Sequence, residues 1–226
     1  MSSYSQQRIQ IQRAGISSIA IEGNIGVGKS SLARLFVQRL GGRLVEEQVD
    51  DNPFLDRFYD DMGAYAFQTQ LVFLMNRYRQ QLALSQHDLF DDFVVLDYLF
   101  ARDRIFANVN LSDDELVLYD RIAGELEARL VRPDLVVYLQ ASNSTLYDRI
   151  QIRGRQFERT ISRDYLETLN DAFNHFFFNY SAGPLLVVNT DAMDFVNDER
   201  QFRDLVQRVT EPVVNTEFYV PSWESP

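Results

Sequence analysis

Short, continuously apolar runs punctuate the chain, and between them apolar residues recur at every third or fourth position. Ser18-Ile19-Ala20-Ile21-Glu22 is such a run and stops at Gly23, and Phe93-Val94-Val95-Leu96 ends at Asp97. Leu135-Val136-Val137-Tyr138-Leu139 and Leu185-Leu186-Val187-Val188 follow the same form, and Arg43-Leu44-Val45-Glu46 makes a fifth. Runs without polar alternation belong to strands covered on both faces. With helical patterns between them they predict an α/β fold, a five-stranded parallel sheet flanked by helices and joined by right-handed crossovers. No internal repeat or linker divides the chain, and 226 residues suit a single domain, placed over residues 18–212. Residues 1–17 are polar, with Arg8 and Arg13 but no apolar signal-type stretch, and read as a flexible leader. Residues 213–226 lack periodicity, carry Pro221, Trp223 and Pro226, and read as a surface tail in which Trp223 is a candidate for docking onto the body.

One helical segment carries chemistry as well as periodicity. Over residues 65–85 the apolar stripe runs through Phe67, Leu71, Leu74, Tyr78 and Leu82. Gln70 and Arg77, seven apart, share a face bordering that stripe, about 10 Å apart along the axis. They either wall a pocket or form a solvated flank.

Composition narrows the classes of partner. The net charge of −11 argues against broad binding to nucleic acid or anionic membrane, which needs a basic surface. Any phosphate site is therefore local. Seventeen Phe and eleven Tyr point to a core with large aromatic pieces. Cysteine is absent, which excludes disulfides and thiolate metal sites and accords with a cytoplasmic protein. No apolar run approaches the roughly 18–20 residues that span a membrane. His87 and His175 stand alone and read as ordinary surface or satisfied side chains.

Gly23-Asn24-Ile25-Gly26-Val27-Gly28-Lys29-Ser30 fits the pattern G-x-x-x-x-G-K-[ST], directly after a predicted strand and before a helix that starts at Ser31. Glycines at these places let successive N–H groups converge on phosphate oxygens, and the helix N-terminus adds partial positive charge. Lys29 is placed to reach the β- and γ-phosphates of ATP and the Ser30 hydroxyl to ligate Mg²⁺. Lys29 is also the sole lysine of the chain, against twenty-one Arg, as expected where a compact ammonium must enter a phosphate cradle. A lone lysine excludes the N-K-x-D base-reading signature of G domains, which directs the reading toward small-molecule kinases.

Downstream of the predicted strand at 135–139, Arg149 and Arg153 lie four apart on one helical face, Gly154 breaks the helix, and Arg155 follows. Three guanidinium groups at a hinge suit a lid that neutralises a transferring phosphoryl group and excludes water. Glu46-Glu47 and Asp97 stand at the carboxyl ends of predicted strands, where ligands bind in open α/β sheets. One such carboxylate can orient an attacking hydroxyl and another can hold Mg²⁺.

These residues together resemble the deoxynucleoside kinase family over most of the chain, from about residue 18 to 196, and most nearly its bacterial branch. The landmarks are the phosphate loop, Glu47-Gln48-Val49-Asp50-Asp51-Asn52-Pro53-Phe54-Leu55, Phe67-Gln68-Thr69-Gln70 through Arg77, residues 97–107, and the arginine segment 149–158 with Tyr165-Leu166. The resemblance implies that Glu47 is the base toward a 5′-hydroxyl, that Tyr59 and Glu158 hold the sugar 3′-hydroxyl, and that Gln70 pairs with the base edge. It likewise implies that Arg77 and Asp103 contact the base, that Arg149, Arg153 and Arg155 are the lid arginines, and that the protein is a homodimer. The Arg77–Asp103 pair leans the substrate toward purine deoxynucleosides, with deoxycytidine as the alternative.

There is one departure. Many members carry Asp-Arg-Ser or Glu-Arg-Ser where this chain has Asp97-Tyr98-Leu99, so the arginine that touches the catalytic carboxylate and the phosphate is missing. Either Arg102 or Arg104, one turn on, supplies that charge, or turnover is low. Two further readings remain open at this level: a nucleotide-binding regulator that lost efficient chemistry, and another P-loop kinase such as one acting on nucleoside monophosphates.

Overall fold

A computed structural model of the chain describes residues 3–49, 51–86, 93–155, 158 and 161–221, with the side chains at 3, 5, 6 and 84–86 left aside. Six parallel strands form one sheet in the order β2-β3-β1-β4-β5-β6: β1 (Ser18–Gly23), β2 (Arg43–Val45), β3 (Val94–Leu96), β4 (Leu135–Gln140), β5 (Leu185–Asn189) and β6 (Thr216–Tyr219). The helices are α1 (Ser3–Arg13), α2 (Lys29–Leu40), α3 (Leu55–Asp60), α4 (Met62–Gln86), α5 (Arg102–Asn110), α6 (Asp113–Glu127), α7 (Asn143–Arg153), α8 (Arg163–Phe178) and α9 (Glu199–Thr210). The five strands read from apolar runs are all present. Those at the centre are buried at nearly every position, because helices cover both faces of the sheet.

Both chain ends differ from the sequence expectation. The leader contains α1, which packs against α2 and α9. Tyr4, Gln7 and Ile11, spaced three and four apart, face the body; Ile11 is 1% exposed, and the Tyr4 ring lies 6.1 Å from that of Phe202. With only two apolar residues on its inward face, this stripe is too thin to stand out among polar neighbours. The expected tail contributes β6, which extends the sheet from five strands to six by pairing Leu185 with Thr216 through Val188 with Tyr219. An edge strand has one neighbour and one wet side, so it needs no apolar run; Glu217 instead pairs with Arg208 of α9. Trp223 and His87 lie outside the described residues, and His175 is exposed.

The strand order sets the site. β1 lies between β3 and β4, while the chain reaches β2 on the far side of β3. The carboxyl ends of β1, β2 and β3 therefore open on one side of the sheet, and each is followed by a candidate: the phosphate loop, Glu47 and Asp97.

Candidate active site

The loop from Gly23 to Gly28 is held open by contacts that a side chain would break. Gly26 has φ of 86°, and a Cβ there would meet Ile150 Cγ1 at 2.8 Å and the Leu146 carbonyl oxygen at 2.9 Å. A Cβ on Gly23 would lie 2.4 Å from the Leu139 carbonyl oxygen. The loop thus folds against α7 and β4 with its backbone turned inward. The Asn24 side chain ties it down: Oδ1 accepts from the Ile25 N–H at 2.7 Å, while Nδ2 donates to the Leu166 carbonyl of α8 at 3.2 Å. Asn24 is therefore spent on shaping the loop.

α2 begins at Lys29, two residues before the sequence expectation, with Gly28 as its left-handed cap. Ser31 occupies its first turn. Lys29 is buried and its Nζ donates to the Asn24 carbonyl oxygen at 3.0 Å. Burial and the neighbouring Arg102 pull the ammonium well below the usual lysine range, against the carboxylates of Glu22, Asp97 and Glu47. Ser30 donates to Asp97, whose carboxyl is pushed upward by burial despite nearby Lys29. Asp97 Oδ1 is buried and finds no partner among the described residues. A hydroxyl and an unpaired carboxylate oxygen side by side form a hard oxygen donor set that fits Mg²⁺, whose remaining ligands would be phosphate and water.

A cavity of about 690 Å³ opens beside the loop. Its floor carries Ile25, Gly26, Lys29, Ser30, Glu47 and Asp97, and its far wall Tyr59, Gln70, Arg77 and Asp103. That volume lies within the usual range for small-molecule sites. A continuous polar chain links the two ends. Arg102 Nη1 donates to Glu47 Oε2 at 3.1 Å, Arg77 donates to Glu47 Oε1, and Arg77 also donates to Asp103. Burial pushes the Glu47 carboxyl up, but the Arg102 and Arg77 guanidiniums outweigh it and hold the group at about 2, ionised at neutral pH. Burial lifts Asp103 to about 6 in spite of Arg77. Glu46, by contrast, is turned outward to an exposed pair with Arg34, which separates the two adjacent glutamates.

Gln70 and Arg77 wall the cavity; they are 2% and 4% exposed. The Arg77 guanidinium lies 5.4 Å from the centre of the Phe73 ring and 5.5 Å from that of Tyr98, so it is fixed between two aromatic faces. Tyr59, also in the wall, is buried enough to drive its hydroxyl far above the usual phenol range, with Tyr165 and Glu158 adding to the effect.

The three lid arginines do not converge as the sequence suggests. α7 ends at Arg153 with Gly154 as a left-handed cap. Arg153 and Arg155 line the cavity, and both face Glu158: Arg153 Nε donates to Oε2 at 3.0 Å, and Arg155 Nη1 lies 4.0 Å from Oε1. Arg149 is turned to the other side of the phosphate loop. Its nitrogens donate to the Val27 carbonyl (3.1 Å), the Thr190 carbonyl (2.7 Å) and hydroxyl (3.1 Å), and the Met193 carbonyl (3.1 Å). Carbonyls at the end of β5 capture it, and no sequence spacing reveals that encounter.

One residue beyond those expectations, and one of the two arginines they offered, complete the site. Glu22, 0% exposed, accepts from the Gly23 N–H (2.9 Å) and the Leu99 N–H (2.8 Å), and so clamps the end of β1 to the turn after β3. Its signal was a charge inside a strand covered on both faces. Arg102, 5% exposed at the start of α5, is the second.

A phosphate loop, an ionised carboxylate beside it and a walled cavity at the carboxyl edge of a parallel sheet define a P-loop phosphotransferase for a small acceptor. Comparison with known proteins gives the particular family. The deoxynucleoside kinase family profile matches residues 19–215. Deoxyguanosine kinase of Bacillus subtilis (strain 168) is 38% identical over 201 residues, covering 87% of this chain and 97% of the relative. Deoxyadenosine/deoxycytidine kinase of the same organism is 29% identical over 200 residues, covering 85% and 91%. Among solved structures, deoxyadenosine kinase from M. mycoides with bound dATP superposes with a TM-score of 0.76 at 26% identity, covering 86% of this chain and 100% of that one. The chain belongs to the deoxynucleoside kinase family, and is thereby an ATP-dependent phosphotransferase.

Proposed function

We propose that the protein transfers the γ-phosphate of ATP to the 5′-hydroxyl of a deoxynucleoside, with purine deoxynucleosides favoured over deoxycytidine. The observation that carries this reading is the polar chain from Arg102 through Glu47 and Arg77 to Asp103, which joins the phosphate loop to a base-sized wall. Glu47, ionised and beside Lys29, accepts the proton of the 5′-hydroxyl as its oxygen bonds to the γ-phosphorus and the bond to the β,γ-bridging oxygen breaks, releasing ADP. The phosphate loop cradles the triphosphate through its N–H groups, with Lys29 at the β- and γ-phosphates. Ser30 and Asp97 would hold Mg²⁺, which when bound neutralises charge on those phosphates.

The rest of the cavity supports this acceptor. Arg77 and Asp103 present donors and an acceptor to the edge of a base, and Gln70 adds an amide. The purine preference is supported by similar proteins named deoxyguanosine kinase and deoxyadenosine kinase. Tyr59 and Glu158 hold the sugar 3′-hydroxyl. Arg153 and Arg155 swing from Glu158 toward the phosphoryl group when both substrates are present. Arg149, held against Val27 and residues 190–193, positions the nucleotide side of the loop.

The same reading includes a homodimer, supported by the large exposed apolar side chains Met75 of α4 and Val117 and Leu118 of α6, two helices that pack together. It also includes a cytoplasmic location, supported by the cysteine-free sequence. Among the described residues no helix is long and apolar enough to cross a membrane. The charge of −11 speaks against nucleic acid as a partner.

A panel of the four deoxynucleosides, their ribose forms and the corresponding monophosphates, with ATP and Mg²⁺, tests the reading. Expected is ADP release with deoxyguanosine, deoxyadenosine or deoxycytidine, lost by at least about 10³-fold in Lys29→Ala. Nucleotide binding without transfer to any acceptor would instead make the protein a regulator, and transfer to monophosphates alone would make it a different kinase.

A further inference from the structure

Arg102 occupies an electrostatically unfavourable place. It is the first residue of α5, where the helix dipole opposes a cation, and its side chain is 6% exposed. Its interaction with Glu47 offsets this, yet Nε is buried with no partner among the described residues. Arg102 lines the same cavity as Lys29, Glu47, Asp97, Asp103 and Tyr59, and its charge acts on each of these five groups. A guanidinium and an ammonium lining one cavity present two cations to any anion that enters between them.

Arg104 offers no such arrangement. Two positions along a helix differ by about 200° of rotation, so Arg104 points away from the cavity. There it faces Asp120 at 3.8 Å and Glu127 at 3.3 Å, all of them well exposed. Tyr98 is also committed elsewhere. It is 0% exposed, its hydroxyl donates to Gln80 Oε1 at 2.9 Å, and its ring supports Arg77.

We propose that Arg102 is a catalytic cation: through one edge it holds Glu47 in line with the 5′-hydroxyl, and through the other it meets the transferring phosphoryl group opposite Lys29. Position 98 is thereby released to become the aromatic floor beneath the base-reading arginine. The inference rests on the kinase reading above. A wild-type enzyme inactive on every acceptor would overturn that reading, whereas an active wild type leaves Arg102 to be judged by itself.

The experiment compares steady-state kinetics of wild type, Arg102→Gln, Arg102→Lys and Arg104→Ala with the best deoxynucleoside of the panel. Expected for Arg102→Gln is a fall in kcat of about 10²-fold, with KM for ATP and deoxynucleoside within about threefold of wild type. Arg102→Lys should recover at least a tenth of wild-type kcat, and Arg104→Ala should stay within about threefold. Near-normal kcat in Arg102→Gln, or equal losses in Arg102→Gln and Arg102→Lys, overturns the proposal. Should Arg102→Gln fail to fold, the lysine variant decides: kcat above a tenth of wild type supports a charge role, and kcat below that refutes it.

Discussion

Arg77→Met should destabilise the protein by an amount that grows with pH. Arg77 and Asp103 are an ion pair with side chains 4% and 2% exposed, and Asp103 already sits at about 6 with its partner present. Methionine keeps much of the apolar stem between Phe73 and Tyr98 but removes the charge. Breaking one side of a buried pair costs about 3–5 kcal/mol. The pH dependence fixes the cause. Without the guanidinium, Asp103 titrates above 6, so between pH 6 and that higher value the folded variant binds a proton that the unfolded chain does not. Its stability then falls by about 1.4 kcal/mol per pH unit, whereas the wild type is level with respect to this group. Over two units the deficit should widen by up to about 2.7 kcal/mol. Urea unfolding of both proteins at pH 5.5 and pH 8.0 measures it. Arg77→Met combined with Asp103→Leu should recover most of the loss, because no unpaired charge is left behind. The same double variant should shift kcat/KM toward thymidine. A deficit equal at both pH values would refute the argument, since lost packing has no reason to titrate.

Glu47→Gln should lower kcat by about 10²–10⁴-fold by removing the proton acceptor. Because Glu47 is held at about 2, below its ordinary 4.5, its ionisation contributes stability that is full above pH 4.5 and lost as pH falls toward 2; from that shift the contribution is about 3 kcal/mol. Acid titration of unfolding should therefore show the wild type and Glu47→Gln converging below pH 4.5. Gly26→Ala should weaken ATP binding at least about tenfold in calorimetry, since its φ of 86° costs an L-residue about 1–2 kcal/mol and its Cβ would collide with Ile150. Ile11→Ala should cost about 2–5 kcal/mol in global unfolding, because α1 docks through that side chain, while leaving kcat within about twofold. Wild-type stability in that variant would mean that α1 does not contribute to the fold.

What the sequence determined follows from local rules. Strands covered on both faces must be continuously apolar, so the five runs were legible and their carboxyl ends located the phosphate loop, Glu47 and Asp97. A turn that exposes its N–H groups needs glycines at fixed intervals, so the cradle could be read residue by residue. Gln70 and Arg77, seven apart on a helix, had to share a face, although spacing left open whether that face was wet. Tertiary structure decided the rest, because those outcomes depend on encounters between distant residues. α1 and β6 carry too little apolar character to announce themselves, and they form because a neighbouring helix pair and a sheet edge are there to receive them. Arg149 is held by carbonyls some forty residues downstream, while Arg153 and Arg155 find Glu158. Glu46 and Glu47 are adjacent in the chain, yet only the fold turns one to Arg34 in solvent and the other to Arg77 and Arg102. Spacing named Arg102 and Arg104 equally; the packing of α5 against the cavity chose Arg102, because residues two apart on a helix face nearly opposite ways.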